Sequence, residues 1–184
     1  SDADSFIVVS EETASFNLLD LSNGTTAVLT TTEVPEGMYS EIRLHIVDAN
    51  VVLKDGETYN LKIPSGSSSG LKIKIKPVLE IVSDMSGEIL LDFDVSRSFK
   101  VTGNEHSKNG IGFMFSPVVR CVNSTVVTSG IKGVVTSITD NVTDSIANAS
   151  IILFSGTDTI TSALSSEKGY YEMLGIEPAT YSIQ

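Results

Sequence analysis

Apolar and polar residues alternate along most of this chain, and a period of two is the spacing of a strand with one buried and one wet face. Ile42, Leu44 and Ile46 share one face, with Arg43 and His45 on the other. Tyr59, Leu61 and Ile63 oppose Asn60 and Lys62, and Leu91, Phe93 and Val95 oppose Asp92 and Asp94. Turn residues separate these runs at Ser22-Asn23-Gly24, Pro35-Glu36-Gly37, Asp55-Gly56, Pro64–Gly70, Ser86-Gly87 and Asn109-Gly110. Asp55-Gly56, between Val51–Leu53 and Glu57–Ile63, predicts a hairpin because that pair tolerates positive φ. Only Leu18–Leu29 could hold a brief helical turn. The expected fold is all-β, with antiparallel strands in two β-sandwich domains.

The 184 residues allow one large domain or two small ones. A boundary is expected near Ser129-Gly130, dividing the chain into 1–128 and 130–184. In the second part Ile131–Ser137, Ser150–Phe154, Thr157–Leu164, Tyr170–Leu174 and Thr180–Ile183 read as four or five strands. So short a segment is small for a core of its own, which implies packing on the first domain or a missing strand.

A formal charge of −11 repels a phosphate backbone and argues against nucleic acid as a partner. The densest basic segment holds Lys54, Lys62, Lys72, Lys74 and Lys76, the last three alternating with apolar residues. Two readings stand: a solvated face or edge-protecting lysines, and a patch for anionic glycan or lipid headgroups. Cys121 is the only cysteine, which excludes an internal disulfide and a cysteine zinc site. It lies in the apolar run Val118–Val122, where a small buried hydrophobe is expected. No run approaches the roughly 20 apolar residues of a membrane span, and no signal peptide is visible. The chain reads as cytosolic, or as a mature piece of an exported protein.

Five phrases recur in order: FNLLDLSNG (Phe16–Gly24), PEGMYSEIRLHI (Pro35–Ile46), YNLKIPSG with GLKIK (Tyr59–Gly66, Gly70–Lys74), ILLDFDVSRS (Ile89–Ser98) and PVVRCV (Pro117–Val122). Each reads as a strand bounded by turns. Together they resemble Domain of Unknown Function family 4382, whose pattern here falls on Leu18–Gly24, Gly37–Leu44, Tyr59–Ile73, Leu91–Ser98 and Pro117–Arg120. The resemblance implies an immunoglobulin-like or transthyretin-like sandwich in an exported, often lipid-anchored, prokaryotic protein, with no assigned activity. The last third resembles a carboxypeptidase regulatory-like (transthyretin-like) domain. Ile131, Gly133 and Val135 carry that likeness, followed by Ala149, Ile151 and Leu153, then Gly169, Tyr171, Met173, Ile176, Pro178, Ala179, Tyr181 and Ile183. It implies a non-catalytic spacer or stalk module, and Ala179 stands where that pattern usually has Gly. The first pattern normally opens with a further strand before Ser1, and the second continues one strand beyond Gln184. Both departures fit a fragment; alternatively, an open groove accepts a strand from a neighbouring subunit and builds a surface fibre.

No catalytic constellation stands out. Gly66-Ser67-Ser68-Ser69-Gly70 formally satisfies G-x-S-x-G, but it sits between strands in a Ser/Gly tract. His45 and His106 lie far apart in sequence and belong to no zinc-type spacing. Asp92 and Asp94 share a strand face at roughly 7 Å. They could serve glycosidic acid–base chemistry or hold Ca²⁺, while Arg97 and Ser98 offer a structural ion pair or turn cap. The oxygen-rich stretch Asp140–Asp144 lacks the Gly and distal Glu of an EF-hand, leaving weak Ca²⁺ binding or a solvated turn. Asn23, Asn123, Asn141 and Asn148 head glycosylation-type sequons, which a Ser/Thr-rich chain also produces by chance.

The expected function is a non-catalytic structural or adhesive module of a prokaryotic cell-surface lipoprotein, located outside the cytoplasm, with no cofactor, metal or catalytic residue assigned. Its expected partners are other envelope proteins or surface glycans, with homo-assembly through strand edges and membrane contact only through an anchor elsewhere. A carbohydrate-binding module is the alternative; a hydrolase built on Asp92 and Asp94 is a third.

Overall fold

The computed structural model describes residues 6–63, 70–102 and 112–184. Its elements in chain order begin with β1 (Gly37–Leu44), β2 (Asn50–Val52), β3 (Thr58–Asn60), β4 (Leu71–Ile81) and β5 (Ile89–Phe93). A single helical turn, α1 (Val95–Ser98), follows, then β6 (Phe99–Thr102), β7 (Gly112–Phe115) and β8 (Val119–Asn123). The remaining strands are β9 (Gly130–Val134), β10 (Thr136–Thr139), β11 (Val142–Ser145), β12 (Ser150–Ser155), β13 (Asp158–Leu164), β14 (Tyr170–Leu174) and β15 (Ser182–Ile183). The chain is all-β, as its alternation predicts.

The principal sheet has the order β1-β4-β8-β5. Its core face collects buried Ile73, Ile75 and Cys121, with Ile42, Leu44, Leu71, Ile89, Leu91 and Val119 packed against them. These are the inward positions of the period-two pattern. Each fully buried branched or long apolar side chain contributes roughly 1.5–3 kcal/mol, so three or four suffice to fix which face turns inward. The β1–β4 and β5–β8 pairs are antiparallel, but β4 and β8 run parallel, with Ile75 opposite Cys121 and Lys76 opposite Val122. That pair departs from the wholly antiparallel expectation.

The Asp55-Gly56 hairpin forms as expected: β2 pairs β3, Gly56 takes φ +88°, and the Leu53 amide donates to the Glu57 carbonyl (2.9 Å). Beyond β3, Lys62 bridges β7 in parallel, joining the β2–β3 hairpin to the β7–β6 pair. α1 ties these layers together. Ser98, fully buried, donates its hydroxyl to the Asp94 carbonyl and accepts from the Val118 amide.

Residues 130–184 form a three-stranded sheet of order β13-β12-β15, a β14–β9 pair and a β10–β11 hairpin. Their core draws on both sheets: Ile151 and Leu153 from β12, Met173 from β14, and Ile176, surrounded by Ile131, Val135, Ile160, Tyr171 and Tyr181. Leu153 is 0% exposed.

Several expectations are corrected. The phrase Phe16–Gly24 is not a strand: Leu18–Asp20 is a turn in which the Asp20 amide donates to the Asn17 carbonyl (3.1 Å). Asn17 and Asp20 also bond each other, so side chains compete for the pairing a strand would need. ILLDFDVSRS breaks after Phe93 because Asp94 caps α1, and the helical turn lies there rather than in Leu18–Leu29. The turn near Ser86-Gly87 falls at Ser83–Asp84, with Asp84 at φ +60°. Ile131–Ser137 is split at Val135 between β9 and β10, and the second part has seven strands rather than four or five.

Candidate functional site

Polar side chains of the principal sheet converge on residues 130–184 and form a dense hydrogen-bonded junction. Asp92 in β5 and Arg120 in β8 stand opposite each other in the ladder, on the face away from the Ile73–Cys121 core. Arg120 donates through Nε (3.2 Å) and Nη2 (2.8 Å) to Asp92 Oδ2. It then reaches across the junction, donating to the carbonyls of Leu174 (2.8 Å) and Gly175. Thr161 of β13 returns a hydroxyl to Asp92 Oδ2 (2.9 Å). One guanidinium and one carboxylate thus bind two strands of the other half.

Asp94 makes a second contact two residues on. Its Oδ1 accepts from the Arg97 amide (3.1 Å), from Ser96 (2.8 Å) and, across the junction, from Ser162 (2.7 Å). Its Oδ2 pairs with Arg97 Nε at 2.6 Å. Burial pushes the carboxyl pKa up, but the bonds from Ser162, Ser96 and Arg97 and the Arg97 charge outweigh it, leaving the pKa below its ordinary value.

Asn23 supplies a third contact. The backbone at Asn23 and Gly24 is left-handed (φ +53° and +84°), the conformation that an Asn-Gly pair accepts most readily. This turn aims Asn23 Oδ1 at the Glu172 amide of β14 (3.3 Å). A Cβ at Gly24 would lie 2.6 Å from the Glu172 carboxylate, so the chains approach closely there. Among the described residues β14 pairs with β9 alone, and the Glu172 amide and Leu174 carbonyl lie on its other edge. Asn23 and Arg120 occupy those groups, and the edge is sealed by side chains rather than by another strand.

Asn23, Asp92, Asp94 and Arg120 come from three of the five sequence phrases. The structure brings together what those phrases hold apart in sequence. Thr161 and Ser162, their acceptor-seeking partners, carry no sequence signal beyond being polar residues in an apolar strand. Both oxygens of Asp94, and Oδ2 of Asp92, accept from structural donors. Acid–base hydrolysis requires one of them protonated at working pH and both facing substrate. Asp94 is shifted the other way.

Beside these contacts opens a cleft of about 480 Å³. Lys72, Lys74 and Lys76 line one wall, and Thr159, Gly175, Glu177 and Tyr181 line the other. β4 is an interior strand, so these lysines do not guard a sheet edge.

The other sequence candidates within the described residues lie outside this cluster. His45 lies exposed just past β1, while His106 and Gly66–Ser69 fall outside the described residues. Asp140–Asp144 is a tight hairpin, with Asp140 and Asn141 both at positive φ between β10 and β11. No group of three or more His, Cys, Asp or Glu able to hold a metal gathers among the described residues. Cys121 is 1% exposed, and burial pushes its thiol up to about 11. Of the sequon asparagines, Asn123 is buried and donates to the Val78 carbonyl, and Asn23 is engaged at the junction. Asn141 and Asn148 are exposed. No helix among the described residues is long and apolar enough to cross a membrane.

No curated protein matches this chain, and no solved structure matches it. A family model does match, over residues 1–109, which takes in the Asn23 turn and the Asp92 and Asp94 strand end. The chain belongs to the family described as Domain of unknown function (DUF4382).

Proposed function

We propose that this chain is a non-catalytic structural or adhesive module of a prokaryotic cell-surface lipoprotein. In this proposal residues 1–128 form an immunoglobulin- or transthyretin-like sandwich, and residues 130–184 a carboxypeptidase regulatory-like one. The junction carries the proposal. The most polar, most acidic pair of the family-like phrases is spent on fastening the second half, which is what a rigid spacer requires and what a hydrolase cannot spare. Two modules fixed at one angle present their loops and cleft to a partner without the entropy cost of ordering a hinge.

Small-angle scattering on the whole chain tests rigidity. One compact envelope, unchanged between low and high salt, is expected; a profile that needs a flexible two-body ensemble overturns the proposal. Fractionation of producing cells tests place, with the protein expected in the envelope and open to external protease. Recovery from the cytoplasm alone would count against it.

Assembly through strand edges is a second role. β14 is unsuited to it because Asn23 and Arg120 hold its outer edge. β1 and β15 stand at the ends of their sheets and are the edges such exchange would use. Light scattering that finds only monomer at high concentration ends that proposal.

A further inference from the structure

Two of the three lysines in the junction cleft, Lys72 and Lys76, form no ion pair among the described residues. Of the 12 Lys and Arg in a chain with 23 Asp and Glu, five line this cleft: Lys72, Lys74, Lys76, Arg97 and Arg120. Three carboxylates share the lining, Asp92, Asp94 and Glu177. Arg120 and Arg97 neutralise the first two, leaving three ammonium groups against Glu177. Lys74 reaches outward to Glu41 at 2.7 Å. Lys72 and Lys76 have no carboxylate within salt-bridge distance among the described residues. Arg43, opposite Lys72 in register, prolongs the row on β1 and stacks over Phe6 at 3.5 Å. A chain of strongly negative charge thus places three of its twelve cationic side chains at alternate positions of one interior strand, where edge protection does not explain them.

We propose that this cleft binds an acidic polysaccharide laid along β4. Lysines at alternate residues stand roughly 7 Å apart, and the row spans about 13 Å. That length suits successive charges on an extended polymer better than one small anion. The facing wall offers the Thr159 hydroxyl for sugar hydroxyls. It offers no free aromatic platform for bases, because Tyr181 packs into the second core and donates its hydroxyl to the Glu177 carbonyl. A glycan bearing one charge per sugar or per disaccharide also meets less repulsion from the acidic remainder than a nucleic acid does. The proposal gives the adhesive module its ligand class and rests on that role.

Affinity electrophoresis of the whole chain tests it, with polygalacturonate, dextran sulfate or neutral dextran cast in the gel. Retardation by one or both acidic polymers and none by neutral dextran is expected; the two acidic arms separate a carboxylated ligand from a sulfated one. Lys72→Gln with Lys76→Gln should weaken retention by about fivefold to tenfold, with an unchanged melting temperature. Equal retention of wild type and variant, no retardation by either acidic polymer, or equal affinity for a single-stranded oligonucleotide overturns the proposal. Such a failure leaves the rigid-module proposal standing, since scattering decides its rigidity and fractionation its place.

Discussion

Arg120 is the side chain whose loss the junction should feel most. It makes two bonds to Asp92 and one each to the Leu174 and Gly175 carbonyls. A bond to a charged group nets about 1.5–3 kcal/mol when buried, but four bonds from one guanidinium do not add. The Arg120 side chain is 24% exposed and that of Asp92 28%, so water reaches both and softens the loss. Arg120→Ala should therefore cost about 2–4 kcal/mol, shifted down from the about 3–5 kcal/mol of a fully buried pair broken on one side. For a chain of this size that lowers the melting temperature by about 4–16 °C. Scanning calorimetry should also show one transition becoming two, with residues 130–184 melting first. Arg97→Ala, which breaks a pair within the first half, should leave a single transition. A double-mutant cycle with Asp92→Asn should give a coupling of about 1–2 kcal/mol. A change under about 2 °C with one transition retained, or coupling near zero, would refute the fastening role.

Asp94 has a folded pKa below its ordinary 3.8, so its stabilising contribution is complete above about pH 4 and is lost as pH falls through the folded value. Asp94→Asn should flatten urea midpoint against pH in that acidic window, and parallel profiles for the two proteins would contradict it. Leu153→Ala removes a fully buried side chain from the second core and should cost about 2–5 kcal/mol, read as a shifted denaturation midpoint. Cys121, buried and with its thiol pushed up to about 11, should resist a disulfide-exchange reagent at pH 8 until denaturant is added. Rapid labelling of the native protein would show that the core around it opens.

Face and turn were legible in the sequence because both are local properties. Ile42, Leu44, Ile73 and Ile75 fall on the core side as alternation requires, and Asp55-Gly56 turns where its tolerance of positive φ allows. Alternation says which face a residue occupies and nothing about which strand lies beside it. The lysines of β4 therefore read equally as a solvated face or as edge protection; they are exposed, but β4 runs between β1 and β8 and parallel to the latter, so only edge protection fails. The break after Phe93 did leave a local trace. Asp94 followed by Val-Ser-Arg is an N-cap and the three residues after it, but the apolar period continues through Val95 and masked it.

The junction was less legible, for the same reason at longer range. Asp92 and Thr161 are 69 residues apart, and Asn23 and Glu172 are 149 apart. No local propensity couples such pairs. What the sequence did contain was an inconsistency. Asp92 and Arg120 occupy outward positions on strands that Leu90 and Val122 would let pass for buried on both faces. Charged residues at such positions must meet either water or a partner of opposite charge and matching hydrogen bonds. Here the ladder sets them against each other, yet a single pair leaves Arg120 with donors to spare. Those spare donors select the unsatisfied edge of β14, a strand paired on one side only, and the surplus of one half meets the deficit of the other. Incomplete hydrogen bonding on both sides thus favours this junction, and the match of donors to acceptors adds specificity to the apolar contact of Val122 with Gly175.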